Sequence, residues 1–514
     1  MDGKIIIEEL MEYAKDHLDL APIDEIYFKN VLLSKLKVNS PYEGEKLDLS
    51  YIKDLDRPDL IVNKLKEYLL ENKIVDEEHL DIFIVDIFGI LSPLPSKINE
   101  EFIKLKKESP QKACDYLFNL SIANYYIQKT AIEKNLMWTY RPTNSNKYLE
   151  ITINLSKPEK NNKDTAKLLT IKQDKKYPLC LLCKENEGYE GTLTHPARRN
   201  IRTIKLKLNG ENWFMQYSPY AYYNEHCIVI NEDHHPMKID ETTPIKLVNF
   251  VDYLPNYFIG SNACLPIIGG SILNHEHFQG GLHLMPMHYA TIRKHFTSSE
   301  FNDLELGILD WYNSAIQING KNKENVIKLA QKIIKTWENY DDLDNEILSH
   351  TDNTPHNTVS PILRKENDIY KFTIILRNNR CNEKYPDGIF HVHPEYHNIK
   401  KESIGLIEAM GLFILPGRLK RQFNEIEDML CGKTKYDETS LNKPTNDLFV
   451  HKDMIKKLFN AKKYITKEEA NKLVIDYVND ACTHILENTA VFKDTPKGQQ
   501  GFEKFLNNIS LTAM

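Results

Sequence analysis

Apolar residues recur every three or four positions through roughly the first 140 residues, the period of a helix that buries one face. Ile7, Leu10, Ala14 and Leu18 show this spacing, and residues 60–70 repeat it. The pattern predicts a mostly helical N-terminal segment, residues 1–145, whose role is packing.

From about residue 149 the period changes to two, which is typical of a half-buried strand. Residues 149–155 and 204–208 alternate in this way. Asn209-Gly210 separates residues 204–208 from a second apolar run at 213–217, which predicts a tight hairpin. Further expected elements are strands at 226–230, 370–376 and 388–393, helices at 242–258 and 404–413, a polar loop at 157–163, and polar helices beyond about 450.

Composition narrows the class of protein. Hydrophobic residues make up 41% and charged residues 27%, the balance of an ordinary globular protein. The formal charge of -7 gives no general attraction to nucleic acid, so an anionic ligand needs a local basic cluster. Glu8 and Glu9 interrupt the apolar start of the chain, and no uncharged stretch reaches about 18 residues. We therefore expect a cytoplasmic protein with neither nucleic acid nor membrane as a partner.

The segment Asn274-His275-Glu276-His277-Phe278-Gln279, flanked by glycine pairs, carries the strongest chemical signal. If it is a strand, His275, His277 and Gln279 share one face. A neutral imidazole can attack phosphorus directly, a nearby amide can contact the phosphoryl group, and glycines let the backbone approach a phosphate. The alternative is a pair of histidines that serves only the fold.

Two more clusters are candidates for a site. Cys180-Leu-Leu-Cys183 offers half of a tetrahedral metal site, and nearby histidines could complete it. A redox pair or two buried thiols are the alternatives. Arg198, Arg199 and Arg202 form a basic cluster that could meet phosphate oxygens, or could be a solvated turn.

Residues 180 to about 290 resemble galactose-1-phosphate uridylyltransferase, a branch of the histidine-triad superfamily, and in particular its second bacterial type. The resemblance makes His277 the nucleophile that becomes uridylylated and Gln279 its supporting glutamine. It makes His275 a catalytic-strand residue and a zinc ligand, together with Cys180, Cys183 and His234. Ser271 and Asn274 are further candidates for substrate binding.

Some features depart from the better-known type of this family. Glu276 stands where that type has proline, and the arginine cluster follows the cysteine pair instead of preceding it. His391-Val-His393 resembles the paired histidines of the family's second repeat, but no glutamate matches the one that completes a second metal site.

The resemblance implies an α+β fold of two histidine-triad-like units with antiparallel sheets, at residues 146–300 and 301–450, between the N-terminal segment and a helical segment at 451–514. It implies exchange of UMP between UDP-glucose and galactose 1-phosphate by a ping-pong mechanism. It also implies a structural Zn²⁺ and no organic cofactor, and a homodimer is possible. The alternatives are a nucleotide hydrolase or phosphorylase of the same superfamily, and a zinc-stabilised nucleotide-binding protein without turnover.

Overall fold

The computed structural model describes residues 2–143, 145–156 and 177–514. They form two compact units that interleave along the chain. Unit 1 contains the described residues of 1–134, 160–235 and 275–282, and unit 2 those of 135–159, 236–274 and 283–514. The predicted loop at 157–163 lies outside the described residues. The division into four consecutive segments stays a prediction.

Unit 1 begins with helices, as the apolar spacing predicts. Ile7 and Leu10 are buried in the first helix, whose N-terminus is capped by the Asp2 side chain. The helices are Gly3–His17, Glu25–Lys35, Asp59–Glu71, Leu80–Leu91, Pro95–Glu108, Pro110–Ala123 and Lys129–Ile132.

An antiparallel sheet completes unit 1. Its strands lie in the order His277–Gly281, Cys227–Asn231, Glu211–Tyr217 and Ile204–Leu208. Asn209 and Gly210 both have positive φ, 49° and 79°, the conformation that a two-residue hairpin turn requires. The predicted hairpin is therefore confirmed.

Unit 2 contains strands of two further sheets and most of the C-terminal helices. In the first sheet the strands follow the order Thr512–Ala513, Ile292–Thr297, Glu305–Leu309, Ala315–Gly320, Ile369–Asn378, Asn357–Glu366 and Phe258–Gly260. The second contains Leu136–Tyr140, Leu149–Asn154 and Leu412–Pro416, and a short hairpin pairs His350–Thr351 with Thr354–Pro355. The helices are Thr243–Tyr253, Lys323–Glu338, Leu406–Ala409, Arg418–Leu430, Glu438–Leu441, Lys452–Ala461, Lys467–Thr489 and Pro496–Asn508.

These mixed helices and mainly antiparallel sheets confirm the α+β class. Two local predictions are wrong. Residues 388–393 form no strand, because Gly388 takes a φ of 118° and a 3₁₀ turn begins at Pro394. The helix expected over 404–413 is limited to Leu406–Ala409, since Gly411, with a φ of 99°, ends it and the strand Leu412–Pro416 follows.

Among the described residues no helix combines the length and the apolar character needed to cross a membrane.

Candidate active site and metal site

His277 is the first residue of the strand His277–Gly281, opposite Ile230 of the neighbouring strand. The residue is 6% exposed, and its Nδ1 lies 2.8 Å from the backbone carbonyl of His275. A carbonyl oxygen only accepts hydrogen bonds, so Nδ1 donates and the lone pair of the neutral ring is on Nε2. Burial lowers the pKa of His277 to about 4, which keeps the ring neutral at pH 7. The strand therefore presents a neutral imidazole of defined tautomer.

Gln279 lies two positions along the same strand. Alternate residues of a strand share a face, so its side chain projects from the face that carries His277. The side chain is partly exposed, and its Oε1 lies 3.1 Å from Nε2 of His226. An imidazole and an anchored amide thus occupy neighbouring positions on one face of the sheet.

His275 does not belong to this strand. The prediction that it shares a face with His277 is wrong, because the strand begins at His277 and His275 lies in the bend before it. The bend is held by the amide of Glu276, which donates to the carbonyl of His235, 2.8 Å away. His275 Nε2 donates to the carbonyl of Asn231, also at 2.8 Å, so the lone pair of its neutral ring is on Nδ1.

That Nδ1 faces the two cysteines. It lies 3.3 Å from Sγ of Cys180 and 3.7 Å from Sγ of Cys183. The two sulfurs are 3.5 Å apart, and Cys183 Sγ is 3.1 Å from Nδ1 of His234. All four ligand atoms lie within 4.8 Å of one another. A tetrahedral ion with metal–sulfur bonds of about 2.3 Å separates two sulfurs by about 3.8 Å, so the four residues fit one ion.

The protonation of the two cysteines depends on whether the cluster holds a cation. Burial and the adjacent Cys180 raise the pKa of Cys183, which disfavours a thiolate without a positive charge nearby. A metal ion reverses this balance, since a coordinating thiol is deprotonated. The donor set can therefore hold a metal ion as thiolates, and without an ion the neutral thiol of Cys183 is favoured.

Asn186 stabilises the turn that carries Cys180 and Cys183. Its amide nitrogen donates to the carbonyls of Cys180 and Cys183, at 2.9 and 2.8 Å. Its Oδ1 lies 2.7 Å from Nε2 of His195, which donates to it. Because these bonds use the backbone of both cysteines, they orient the sulfurs without occupying them.

Glu276 is completely buried on the other side of the bend. Its carboxylate accepts a hydrogen bond from Nδ2 of Asn231 at 3.0 Å and lies 3.4 Å from Nε2 of His235. The carbonyl of Asn231 is the acceptor that orients His275. The glutamate thus stabilises the residues beside the cysteine–histidine cluster and the start of the His277 strand.

Two parts of the chain match known domains. Residues 53–236 match the galactose-1-phosphate uridyl transferase N-terminal domain, and residues 249–442 match its C-terminal domain. The chain is 42% identical to a galactose-1-phosphate uridylyltransferase of Caldanaerobacter subterraneus, over 98% of both chains. It is 39% identical to one from Bacillus subtilis, over 98% of this chain and 97% of that one.

The chain belongs to the galactose-1-phosphate uridylyltransferase family.

This membership confirms the family predicted from the motif and makes the chain a transferase. Among solved structures, the match to yeast Ap4A phosphorylase Apa2 covers 66% of this chain and 93% of the phosphorylase chain, with 12% sequence identity and a TM-score of 0.31.

Arg202 is 6% exposed, and all three nitrogens of its guanidinium donate hydrogen bonds to backbone carbonyls. A phosphate role for Arg202 conflicts with these contacts, because the N–H groups are used inside unit 1. The acceptors are the carbonyls of Gly89, Ser92, Pro93, Arg199 and Ile201.

The other two arginines of the cluster also have neighbours. Arg199 forms an ion pair of 2.7 Å with Asp86, and Arg198 lies over the ring of Tyr126. Both are partly exposed, and their phosphate roles stay predictions.

Ser271 and Asn274 are exposed residues of unit 2 and lie outside any strand. Their roles in substrate binding stay predictions.

His391 and His393, which resemble a histidine pair of the family, do not form a ligand cluster among the described residues. His391 is 4% exposed, and neither ring nitrogen has a hydrogen-bond partner among the described residues. Burial, with Arg377 nearby, lowers its pKa to about 4. His393 instead stacks on Tyr385. Within the described part of the chain, only the Cys180 cluster brings three or more possible metal ligands together.

Sequence reasoning missed Asn186, His226 and Asn231. Asn186 follows Cys183 by three residues, a spacing at which a side chain can bond to the backbone of the preceding turn. The sequence alone therefore indicates this contact. His226 directly precedes the strand Cys227–Asn231, and Asn231 is the last residue of that strand. Their partners, Gln279 and His275, are more than 40 residues away, so only the strand pairing reveals them.

Proposed function

We propose that this protein exchanges UMP between UDP-glucose and galactose 1-phosphate through a covalent uridylyl-His277 intermediate. The observation that supports it best is the hydrogen bond from His277 Nδ1 to the carbonyl of His275. That bond puts the ring's lone pair on Nε2, on the face shared with Gln279.

In the first half-reaction Nε2 of His277 attacks the α-phosphorus of UDP-glucose. The N–P bond forms, the bond from phosphorus to the bridging oxygen breaks, and glucose 1-phosphate leaves with the electron pair. The imidazole becomes positively charged when it is uridylylated. Its Nδ1–H remains bonded to the His275 carbonyl, which stabilises this charge.

In the second half-reaction a phosphate oxygen of galactose 1-phosphate attacks the same phosphorus. The N–P bond breaks, UDP-galactose forms, and Nε2 recovers its lone pair. No net proton is needed, because Nδ1 keeps its hydrogen throughout. Gln279 donates to a nonbridging oxygen as negative charge shifts during each transfer.

We propose that the Cys180–Cys183–His234–His275 cluster holds Zn²⁺ and that the ion is structural. Four protein ligands leave no open position for water or substrate. His275 also supplies the carbonyl that orients His277, so the ion would fix the backbone on which the nucleophile depends. The metal therefore needs no part in the chemical steps.

The test is to incubate the protein with UDP-glucose labelled in the uridine and to measure protein-bound label, stable in alkali and lost in acid. We expect about one label per chain in the wild type and none in His277→Ala. Addition of galactose 1-phosphate should release the label as UDP-galactose. His484→Ala, which removes an exposed helical histidine, is the matched control and should label normally.

Three results would contradict the proposal. Labelling of His277→Ala at the wild-type level would exclude this nucleophile. Release of free UMP without an acceptor would indicate a hydrolase, and absence of both label and exchange would indicate a nucleotide-binding protein.

A further inference from the structure

We propose that His226 is a positioning residue that sets the orientation of the Gln279 amide. Its Nε2–H holds the amide oxygen, so that the amide nitrogen is presented to the phosphoryl group. The role of this nitrogen rests on the proposed function, whereas the orientation itself does not.

Two tyrosine rings pack against the His226 ring. It is stacked against Tyr222, with ring centres 5.6 Å apart, and packs against Tyr223 at 4.4 Å. The residue is 2% exposed, and its backbone is fixed by bonds to the carbonyl of Tyr223 and from the amide of Ser218. A ring confined in this way is a rigid partner for a flexible glutamine.

The strand pairing brings the two side chains together. His226 directly precedes Cys227, which is paired with Gly280, and Ile228 is paired with Gln279. The imidazole therefore lies beside the glutamine across the ladder. The contact joins Nε2 of His226 and Oε1 of Gln279 at 3.1 Å.

Two arrangements satisfy this contact, since an amide can be turned by 180°. In the first, Nε2–H of His226 donates to Oε1 and Nδ1 carries the lone pair. In the second, the amide nitrogen donates to Nε2, and Nδ1 must carry the hydrogen. Nδ1 of His226 is buried without a hydrogen-bond partner among the described residues. A buried N–H without a partner is rarer and more costly than an unused lone pair, so the first arrangement is favoured.

The orientation has a chemical consequence. The oxygens of a phosphoryl group only accept hydrogen bonds, so an amide oxygen that faced them would repel them. With Oε1 bound to His226, the two N–H bonds of Gln279 are directed away from the histidine. His226 then acts on the reaction through Gln279 and need not touch the substrate.

The test combines His226→Phe, His226→Gln and Gln279→Ala. Phenylalanine keeps the packing against the tyrosines but removes the donor, and we expect kcat to fall about fivefold with KM within twofold. Glutamine retains an N–H near the position of Nε2, so the kcat of His226→Gln should stay within twofold of the wild-type value. In the Gln279→Ala background, His226→Phe should have less than a twofold effect, because its route to the reaction is already lost.

A merely structural role predicts another outcome. If His226→Phe lowers kcat by the same factor in both backgrounds, or if His226→Gln is as slow as His226→Phe, the proposal is overturned. The ¹⁵N chemical shifts of His226 in the wild-type protein provide a second measurement that needs no folded phenylalanine variant and no turnover. They should show hydrogen on Nε2 and a bare Nδ1, and the opposite tautomer would overturn the proposal even if His277 is uridylylated as proposed. Conversely, a wild-type protein that shows the expected tautomer but takes up no label would contradict the proposed function alone.

Discussion

At the scale of single residues, backbone carbonyls determine which nitrogen of a histidine is reactive. His277 donates to one carbonyl through Nδ1, and His275 donates to another through Nε2. The two rings are two residues apart, yet their neutral forms present lone pairs on opposite nitrogens, Nε2 of His277 and Nδ1 of His275. Because imidazole has only two nitrogens, one backbone contact is enough to determine which nitrogen of a neutral ring carries the lone pair.

Gln279→Ala should lower kcat much more than it weakens binding of UDP-glucose. Removal of one preorganised donor from a charge-stabilising site costs about 3 kcal/mol, or roughly a hundredfold in rate. Steady-state kinetics of the exchange would measure this, with Gln331→Ala, on the surface of a helix in unit 2, as the control. An unchanged kcat with a raised KM would mean that Gln279 serves binding only.

At the scale of elements, the sequence predicts structure well wherever a local rule applies. The N-terminal helices and the 204–217 hairpin follow from periodicity and from the Asn209-Gly210 turn. The region after residue 388 does not, because Gly388 and Gly411 take positive φ and interrupt patterns that otherwise suggest a strand and a helix. The candidate site shows the same limit: its motif residues are visible in the sequence, whereas Arg202 and His226 acquire their partners from distant segments.

Gly210→Ala should destabilise the hairpin by about 1 kcal/mol. A Cβ at this position would meet no atom within 4 Å, so the cost arises from the backbone φ of 79° alone. Chemical denaturation would measure the change in the free energy of unfolding. Lys207→Ala, at an exposed position of the same hairpin, should change it by less than about 0.5 kcal/mol. Equal effects of the two substitutions would show that the turn conformation is not the cause.

At the scale of the whole molecule, buried neutral histidines make stability depend on pH. Burial lowers the pKa of each to about 4, or to about 3 for His288, whereas the unfolded chain titrates near 6.5. Below that value the unfolded state binds more protons, so stability is complete above about pH 6.5 and is lost as pH falls. The five residues are His226, His277, His288, His391 and His451.

By pH 5.5 each of these histidines should cost about 1.4 kcal/mol of unfolding free energy relative to pH 7.5. Urea denaturation at a series of pH values would reveal the slope. His226→Gln removes one titrating ring and should reduce the loss by one such increment. A stability that is constant between pH 7.5 and 5.5 would contradict the prediction.

Cys180→Ser should lose bound zinc and melting temperature together, and activity only as a consequence. The substitution removes one of the four possible ligands from a cluster that joins residues 180–183 and 234 to residue 275. Metal analysis and thermal unfolding would measure both effects, and a chelator should reproduce them in the wild type. Cys381→Ser, at an exposed cysteine, should leave both unchanged. Purified wild-type protein without metal would refute the assignment.

The interleaving of the two units limits where the chain can be cut. The eight residues from His275 to Leu282 belong to unit 1, although they are enclosed in sequence by unit 2. A fragment that ends at residue 235 would retain Cys180, Cys183 and His234 but would lack His275, His277 and one strand of its sheet. Truncation at the apparent boundary between the two matched domains should therefore yield a chain with an exposed strand edge, which is prone to aggregation. A separate peptide of residues 275–282 should restore the sheet, because an extended peptide can pair with an exposed strand edge.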